Sequence, residues 1–336
     1  MKLAVISTTI HNEEGFLPFD RLASNSPFRD IAFFITGDRK TPPFDTSRFA
    51  CRAEFLNVRA QGRFACSESI GWNKIMRRNI ALLRAMEWKP DYILTIDDDN
   101  VPPPEYFEAW YRVLRTPANA IMENPDNSGR WFNYLRTTSA PIEIFPRGFP
   151  ICFRGAFQGS LVLPPTPIQP SQIGLFQGIS LGNCDVDAIT HIVCPCTVES
   201  IREKNYCVRD LWSPYNTQNT ILSPGLFPLG FVWPFCGRYD DIFSSFAWQQ
   251  LLFNNGHYVH VGDAVNRQER GDRDLLRDLS NEAEGYLNAH LVWQAIRRIE
   301  ATDPIGFLEA LLACDQVIIQ RQHGFMRSFL QDLKRI

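Results

Sequence analysis

Tyr92-Ile93-Leu94-Thr95-Ile96, followed at once by Asp97-Asp98-Asp99-Asn100, is the stretch whose reading settles the architecture. The first five residues carry no charge and show no helical spacing, as a strand buried on both faces would. Upstream, Trp72, Met76, Ile80, Leu83 and Met86 recur at steps of 4, 4, 3 and 3. That spacing predicts a helix over 67–88 with one apolar face. Further upstream, Ile31–Thr36 (IAFFIT) and Leu3–Ser7 are two more short apolar strands. Strand, helix and strand with short connections make a βαβ unit and imply an α/β fold. Ligands of such sheets bind beyond the carboxyl ends of the strands, so the residues after Ser7, Thr36 and Ile96 are the first candidates.

The chain has 336 residues, of which 45% are apolar and 12% aromatic, enough for a sizeable core and enough to exclude disordered and fibrous classes. A formal charge of −3 argues against a protein that grips nucleic acid. The charge is uneven: residues 1–90 hold 14 basic and 9 acidic side chains, and the remainder hold 20 and 28. A mildly basic first part suits a small anionic ligand such as a nucleotide. No apolar run reaches the length of a membrane span, and Leu3–Ile6 is too short for an export signal. The nine cysteines are scattered and odd in number, which points to reduced thiols and a cytoplasmic location. Cys194-Pro195-Cys196 beside His191 lacks the second pair that a zinc site requires.

Residues 125–235 are rich in Pro, Gly, Asn and aromatics, the composition of long loops and short strands laid over a scaffold. Helical patterning returns at Tyr239–Asn255, at Leu287–Ile299, and after Asp303-Pro304, an N-cap followed by proline at the first helical position. The expected division is an α/β domain over 1–265, which carries the candidate site residues, and a helical extension over 266–336 packed on it. Its amphipathic helices suit either the core or an interface in a homo-oligomer.

Three adjacent carboxylates repel one another unless a cation sits among them. Mg²⁺ or Mn²⁺ shared with diphosphate oxygens is the natural occupant, and of the outer pair Asp97 and Asp99 one could reach the ribose or a metal-bound water and the other the metal itself. The competing reading is a solvated acidic turn. In Thr36-Gly37-Asp38-Arg39-Lys40, Asp38 suits a base or ribose, and Arg39 or Lys40 a diphosphate, against an ordinary turn with solvated charges. Thr8, at the end of the first strand, could meet the nucleoside. Arg147 and Arg154 lie seven residues apart in an apolar loop and need an anion, either a protein carboxylate or a phosphate. Asp240 and Asp241 open a helix, where they either serve the helix dipole or act as a general base, with Asp241 preferred. His257 and His260 are candidates for a further metal or phosphate ligand, although a lone histidine is more often structural.

TIDDDN (95–100), PRGFP (146–150) with FRG (153–155), and GRYDD (237–241) resemble the reversibly glycosylated polypeptides, which include the plant UDP-arabinopyranose mutases. TGDRKTP (36–42), GNCDVDA (182–188) and SPYNTQNT (213–220) are similar to the STELLO-type glycosyltransferase domain. The resemblance runs from about residue 3 to about residue 290. It implies a GT-A fold, a mixed α/β sheet flanked by helices, with Asp97 and Asp99 holding Mn²⁺ (or Mg²⁺) on the donor diphosphate. Beside these, the residues themselves point to Thr8, Asp38, Arg39, Asp97 and Asp98 on the nucleotide-sugar side and to His260 as a further metal ligand. In the mutase group the position of Arg147 bears the sugar and that of Arg154 is required, and Asp240 and Asp241 correspond to acceptor-side carboxylates. The chain departs from the mutases around its first strand and at 266–279 (NRQERGDRDLLRDL). The leading expectation is a metal-dependent glycosyltransferase with a UDP-sugar donor and an acceptor that leaves no mark in the sequence. A UDP-sugar pyranose/furanose mutase glycosylated at Arg147 is the alternative, and a non-catalytic scaffold with this fold is the third reading.

Overall fold

Alternate residues of the first strand enter opposite cores. Leu3 and Val5 pack with Phe16, Phe19 and Trp110, while Ala4 and Ile6 pack with Ile80 and Leu83. Two-sided burial of this kind needs a helical layer on each face of the sheet. The computed structural model describes residues 1–120, 122–123, 131–141, 143–154, 161–162, 167–202, 204–268 and 274–336. Gly155 of the FRG motif and residues 269–273 of the 266–279 stretch lie outside the described residues.

Strands β1 (Lys2–Thr9), β2 (Asp30–Gly37), β3 (Arg52–Leu56) and β4 (Tyr92–Ile96) run parallel in the order β3-β2-β1-β4. Thr9 stands opposite Gly37, and Ile6 opposite Thr95, so the three central strands finish together at one edge. Beyond β4 the sheet turns mixed. Asn219–Leu222 pairs antiparallel with β4, and Ile173–Asn183 and Tyr258–Gln268 continue from it as a long parallel pair. Twelve described strands join in this one sheet, a mixed α/β arrangement flanked by helices and followed by C-terminal helices. No described helix is long and apolar enough to cross a membrane.

The single helix expected over 67–88 is three pieces: Cys66–Ile70, a 3₁₀ turn at Ile75–Arg77, and Arg78–Glu87. The break has a backbone cause, since Gly71 and Asn73 adopt φ of 77° and 57°, incompatible with helix. Arg77, fully buried, fastens the break by donating to Gln61 Oε1, to the Ser67 carbonyl and to the Gly71 carbonyl. Trp72 therefore leaves the expected apolar stripe and lies 3.9 Å from the Arg77 guanidinium. Ile173–Asn183, at 11 residues, is longer than the short strands expected in the middle of the chain. Gly174, Gly178 and Gly182 hide it from a pattern search. A Cβ at Gly178 would come within 2.3 Å of Asn219 Nδ2, so close packing explains that glycine.

Helices Leu275–Ile296, Pro304–Ala313 and Val317–Leu333 complete the chain. Asp303 caps the second by accepting from Gly306 N at 2.7 Å. Asp332 of the third accepts from Ala65 N and Cys66 N, so the last helix is bonded to the first third of the chain.

Candidate active site

The carboxyl ends of β1, β2 and β4 open into a cavity of about 380 Å³ lined by Thr8, Thr9, Ile10, Asp38, Lys40, Asn73, Lys74, Ile75, Arg78 and Asp97 to Asp99. A second cavity of about 400 Å³ is lined by Met76, Arg147, Thr217, Gln218, Gly237, Arg238, Asp240, Asp241, Arg277 and Asn281, and by four residues of the first: Asn73, Lys74, Ile75 and Asp97. The cleft thus has two compartments with the helix break and Asp97 between them. The break that the sequence pattern concealed is what puts Asn73, Lys74 and Ile75 on this wall.

In the first compartment, Thr8 Oγ1 donates to the Thr36 carbonyl at 3.0 Å. Asp38 is buried, with its carboxylate accepting from Arg39 N at 2.6 Å and Lys74 N at 3.1 Å. Arg39 is not among the lining residues; its guanidinium lies 5.1 Å from the Trp72 ring, and Lys40 lines the cavity in its stead. Asp97 pairs with Arg78, whose guanidinium also donates to Thr217 Oγ1 and to the Ile96 carbonyl. Asp98 accepts from Thr9 Oγ1 at 2.5 Å; burial and the neighbouring Asp97 push its carboxyl up, against the pull of that bond. Asp99 is exposed and accepts from Gln268 Nε2 at 3.3 Å. Gly15 passes so close that a Cβ there would meet the Asp98 carbonyl oxygen at 2.4 Å.

In the second compartment, Arg147 is 6% exposed and forks onto Asp185 through Nε and Nη2, both at 2.9 Å. Nη2 also reaches Asp241 Oδ1 at 3.2 Å, and Nη1 donates to the Arg238 carbonyl. Burial works against its charge, but Asp185 and Asp241 outweigh it and hold the guanidinium firmly protonated. Asp241 accepts in addition from Thr217 N at 3.2 Å. Asp240 is buried beside this pair, and burial together with the Asp241 charge pushes its carboxyl up to about 7. The carboxyl poised near neutrality is therefore Asp240, and Asp241, the expected base, is committed to Arg147. Arg154 pairs with Asp187 and donates to the Phe149 carbonyl, and it lines neither compartment.

His260 requires a correction. It is fully buried within the sheet, its Nε2 lies 2.9 Å from Asn205 Oδ1, and burial pulls its pKa down to about 3, so it is neutral. On the same strand it is Gln268 that reaches Asp99, eight residues further on, a separation of roughly 26 Å along a strand. His260 therefore cannot share an ion with Asp99.

Among the described residues no three His, Cys, Asp or Glu side chains form a ready metal cage. Along the strand and turn next to Asp99 lie three buried amides. Asn100, Asn266 and Gln268 are each buried, and each has a side-chain oxygen with no partner among the described residues. Their nitrogens are fixed as the donors, because Asn100 Nδ2 and Asn266 Nδ2 face the Gln218 carbonyl and Gln268 Nε2 faces Asp99. Of these amide groups it is Gln268's that touches the acidic turn, through Asp99, and the oxygens of Asp97 and Asp99 are donors of the kind a hard divalent cation such as Mn²⁺ or Mg²⁺ takes.

Sequence reasoning missed Arg78, Lys74, Arg277 and Asn281. The one available signal was the pair Arg77-Arg78 on a helix otherwise rich in apolar residues, where a buried cation demands a partner.

No family model matches this chain, and no curated protein matches it. Among solved structures it is similar to glucosyl-3-phosphoglycerate synthase from Mycobacterium tuberculosis in complex with Mn²⁺, UDP-glucose and phosphoglyceric acid. That match has 12% identity and a TM-score of 0.40, over 87% of this chain and 79% of the other. It is also similar to S. aureus TarS 1–349 in complex with UDP-GlcNAc, at 11% identity and a TM-score of 0.39, over 100% of this chain and 73% of the other. Both likenesses are distant.

Proposed function

We propose that this chain is a metal-dependent glycosyltransferase of the GT-A type that takes a nucleoside-diphosphate sugar, with a UDP-sugar as the preferred donor. The observation that carries the reading is the two-compartment cleft with Asp97 on its shared wall. One side offers what a nucleotide needs, and the other offers a buried carboxyl poised near neutrality beside a fixed guanidinium.

In this reading Thr8 and Asp38 meet the nucleoside, and Lys40, Lys74 and Arg78 face the diphosphate. Asp97 and Asp99 hold the divalent cation, with Asp98 keeping the acidic turn in shape through Thr9. When bound, the cation neutralises charge on the departing diphosphate as a Lewis acid. Asp240 takes the proton from the acceptor hydroxyl, its pKa near 7 suiting a general base. Asp241 fixes Arg147, which supplies a positive field at the reacting centre without reorganising. Four of Arg147's five N–H donors are already spent, two on Asp185, one on Asp241 and one on a carbonyl. Such a firmly protonated guanidinium suits a field-setting role better than the nucleophilic one of a self-glycosylating mutase.

The test is mass spectrometry of the protein with Mn²⁺ and a panel of UDP-sugars, without acceptor. Slow release of UDP and free sugar is expected. A new UDP-sugar isomer without UDP release would establish the mutase, and pentose or hexose on Arg147 would add its mechanism. No turnover with any nucleotide sugar, together with no nucleotide-dependent rise in Tm, overturns the proposal.

A further inference from the structure

The strand Ile173–Asn183 pairs antiparallel with Thr197–Val198, Gly182 opposite Val198 and Asn183 opposite Thr197. Continuing that register brings Cys184 opposite Cys196, and their Sγ atoms lie 3.3 Å apart. Between the two cysteines runs the segment that holds both arginines of the PRGFP–FRG region. Asp185 forks onto Arg147, and Asp187 pairs with Arg154 while accepting from Thr190 N at the start of the short helix Ala188–Val193. Both thiols sit at the base of this loop, and closing it needs no large backbone movement. Their chemistry differs. Cys184 is buried, and its thiol is pushed up. Cys196 is partly exposed, and the S–H of Cys184 stabilises its thiolate, pulling it down to about 7.

We infer that Cys184 and Cys196 form a reversible disulfide that staples the 185–195 loop, with Cys196 as the attacking thiolate and Cys184 as the resolving thiol. The oxidant is a low-molecular-weight disulfide. The Cys196 thiolate attacks one sulfur of that disulfide and expels one thiolate. Cys184 then loses its proton to solvent and attacks the Cys196 sulfur of the mixed disulfide, expelling the second thiolate. Two protein thiols are oxidised and one small disulfide is reduced to two thiols. The staple fixes the loop that presents Asp185 and Asp187, so the oxidised protein holds Arg147 and Arg154 more rigidly than the reduced one. Neither cysteine lines the cleft, so the disulfide stands whether or not a sugar is transferred there.

The experiment treats the full chain with oxidised glutathione, alkylates the remaining thiols, and maps the digest by mass spectrometry. The expected product is one cross-linked peptide pair, Cys184 to Cys196, two hydrogens lighter than the dithiol. Cys184→Ser should stop at a glutathione adduct on Cys196, whereas Cys196→Ser should leave Cys184 free, because the buried thiol does not attack. Oxidation should also raise Tm and slow deuterium uptake over 185–195, with both effects absent in the Cys196→Ser variant. A bond from either residue to Cys194, a bond between two chains, or free thiols at 184 and 196 in the oxidising buffer would overturn the inference. So would a correct cross-link that leaves Tm and exchange unchanged, since the loop would then not be stapled.

Discussion

Replacing Asp240 by Asn separates the two readings of the acidic pair, because they predict opposite signs. Asp240 is 8% exposed, and burial beside Asp241 raises its carboxyl to about 7, whereas an unfolded aspartate ionises near about 3.9. Between those values the folded protein keeps a proton that the unfolded chain has released. Stability therefore falls as pH rises from about 4 to about 7 and stays low above it. Three pK units correspond to an upper bound of about 4 kcal/mol. With an unfolding entropy of about 2.1 cal/mol/K per residue over 336 residues, that is at most about 6 °C in Tm. Asn cannot ionise, so at pH 8 the variant should melt higher than the parent, with the gap closing towards pH 4. Calorimetry across pH 4–8.5 measures it, and UDP release by the same variant should be lost. If Asp240 instead serves the dipole of the helix Asp240–Asn254, its folded carboxyl ionises below about 3.9, so removing its charge lowers Tm at pH 8 and still at pH 4. That outcome would refute the account of Asp240 as a strained, proton-accepting carboxyl.

Asp97→Asn strips the counter-charge from the buried Arg78 and, on the proposed function, takes a carboxylate charge from the cation. A loss of about 3 kcal/mol in stability is expected, with Mn²⁺ affinity lower by about tenfold or more in titration calorimetry. Gly15→Ala drives a Cβ against the Asp98 carbonyl oxygen, so the acidic turn must shift. Overpacking of this kind costs about 1–3 kcal/mol in denaturant titrations, and Mn²⁺ affinity should fall with it. His260→Gln should leave Mn²⁺ affinity unchanged, because that ring faces Asn205 inside the sheet. A weakened ion would reinstate His260 as a ligand.

The parallel half of the sheet was legible because its information is local. Ile93, Leu94 and Ile96 make an apolar run whose end is marked by three carboxylates, and a run of that kind reads the same in any context. The helix break was hidden by a coincidence of spacing. Met76, Ile80 and Leu83 are buried on the 3₁₀ turn and helix after the break, and Trp72 falls at the right interval although it packs on Arg77 instead. Gly71 and Asn73 were the available warning, and a conformation-permissive pair inside a helical pattern merits weight. His260 was misplaced for another reason: in a strand, nearness along the chain says little about which end of the sheet a residue serves. The second compartment draws Asn73, Arg147, Thr217, Asp240 and Arg277 from five distant segments, and no local pattern could have joined them.

The charges of the cleft explain why two carboxylates only one residue apart differ in role. Arg147 brings one positive charge into the interior, and Asp185 and Asp241 both bond to it. Each also has a further donor, Asn216 Nδ2 for Asp185 and Thr217 N for Asp241, so each buried carboxylate is met by direct hydrogen bonds. For Asp240 burial and the Asp241 charge next door outweigh the pull of Arg147 and of the Asp241 backbone N–H. A carboxyl in that position holds its proton until about neutral pH, which is what the proposed role as base to an acceptor hydroxyl requires. Ionising Asp240 by stabilising it directly, for instance with a lysine at Asn281 on the same cavity wall, should therefore restore pH-independent stability while abolishing transfer. A gain in stability with transfer retained would mean that the proton goes elsewhere.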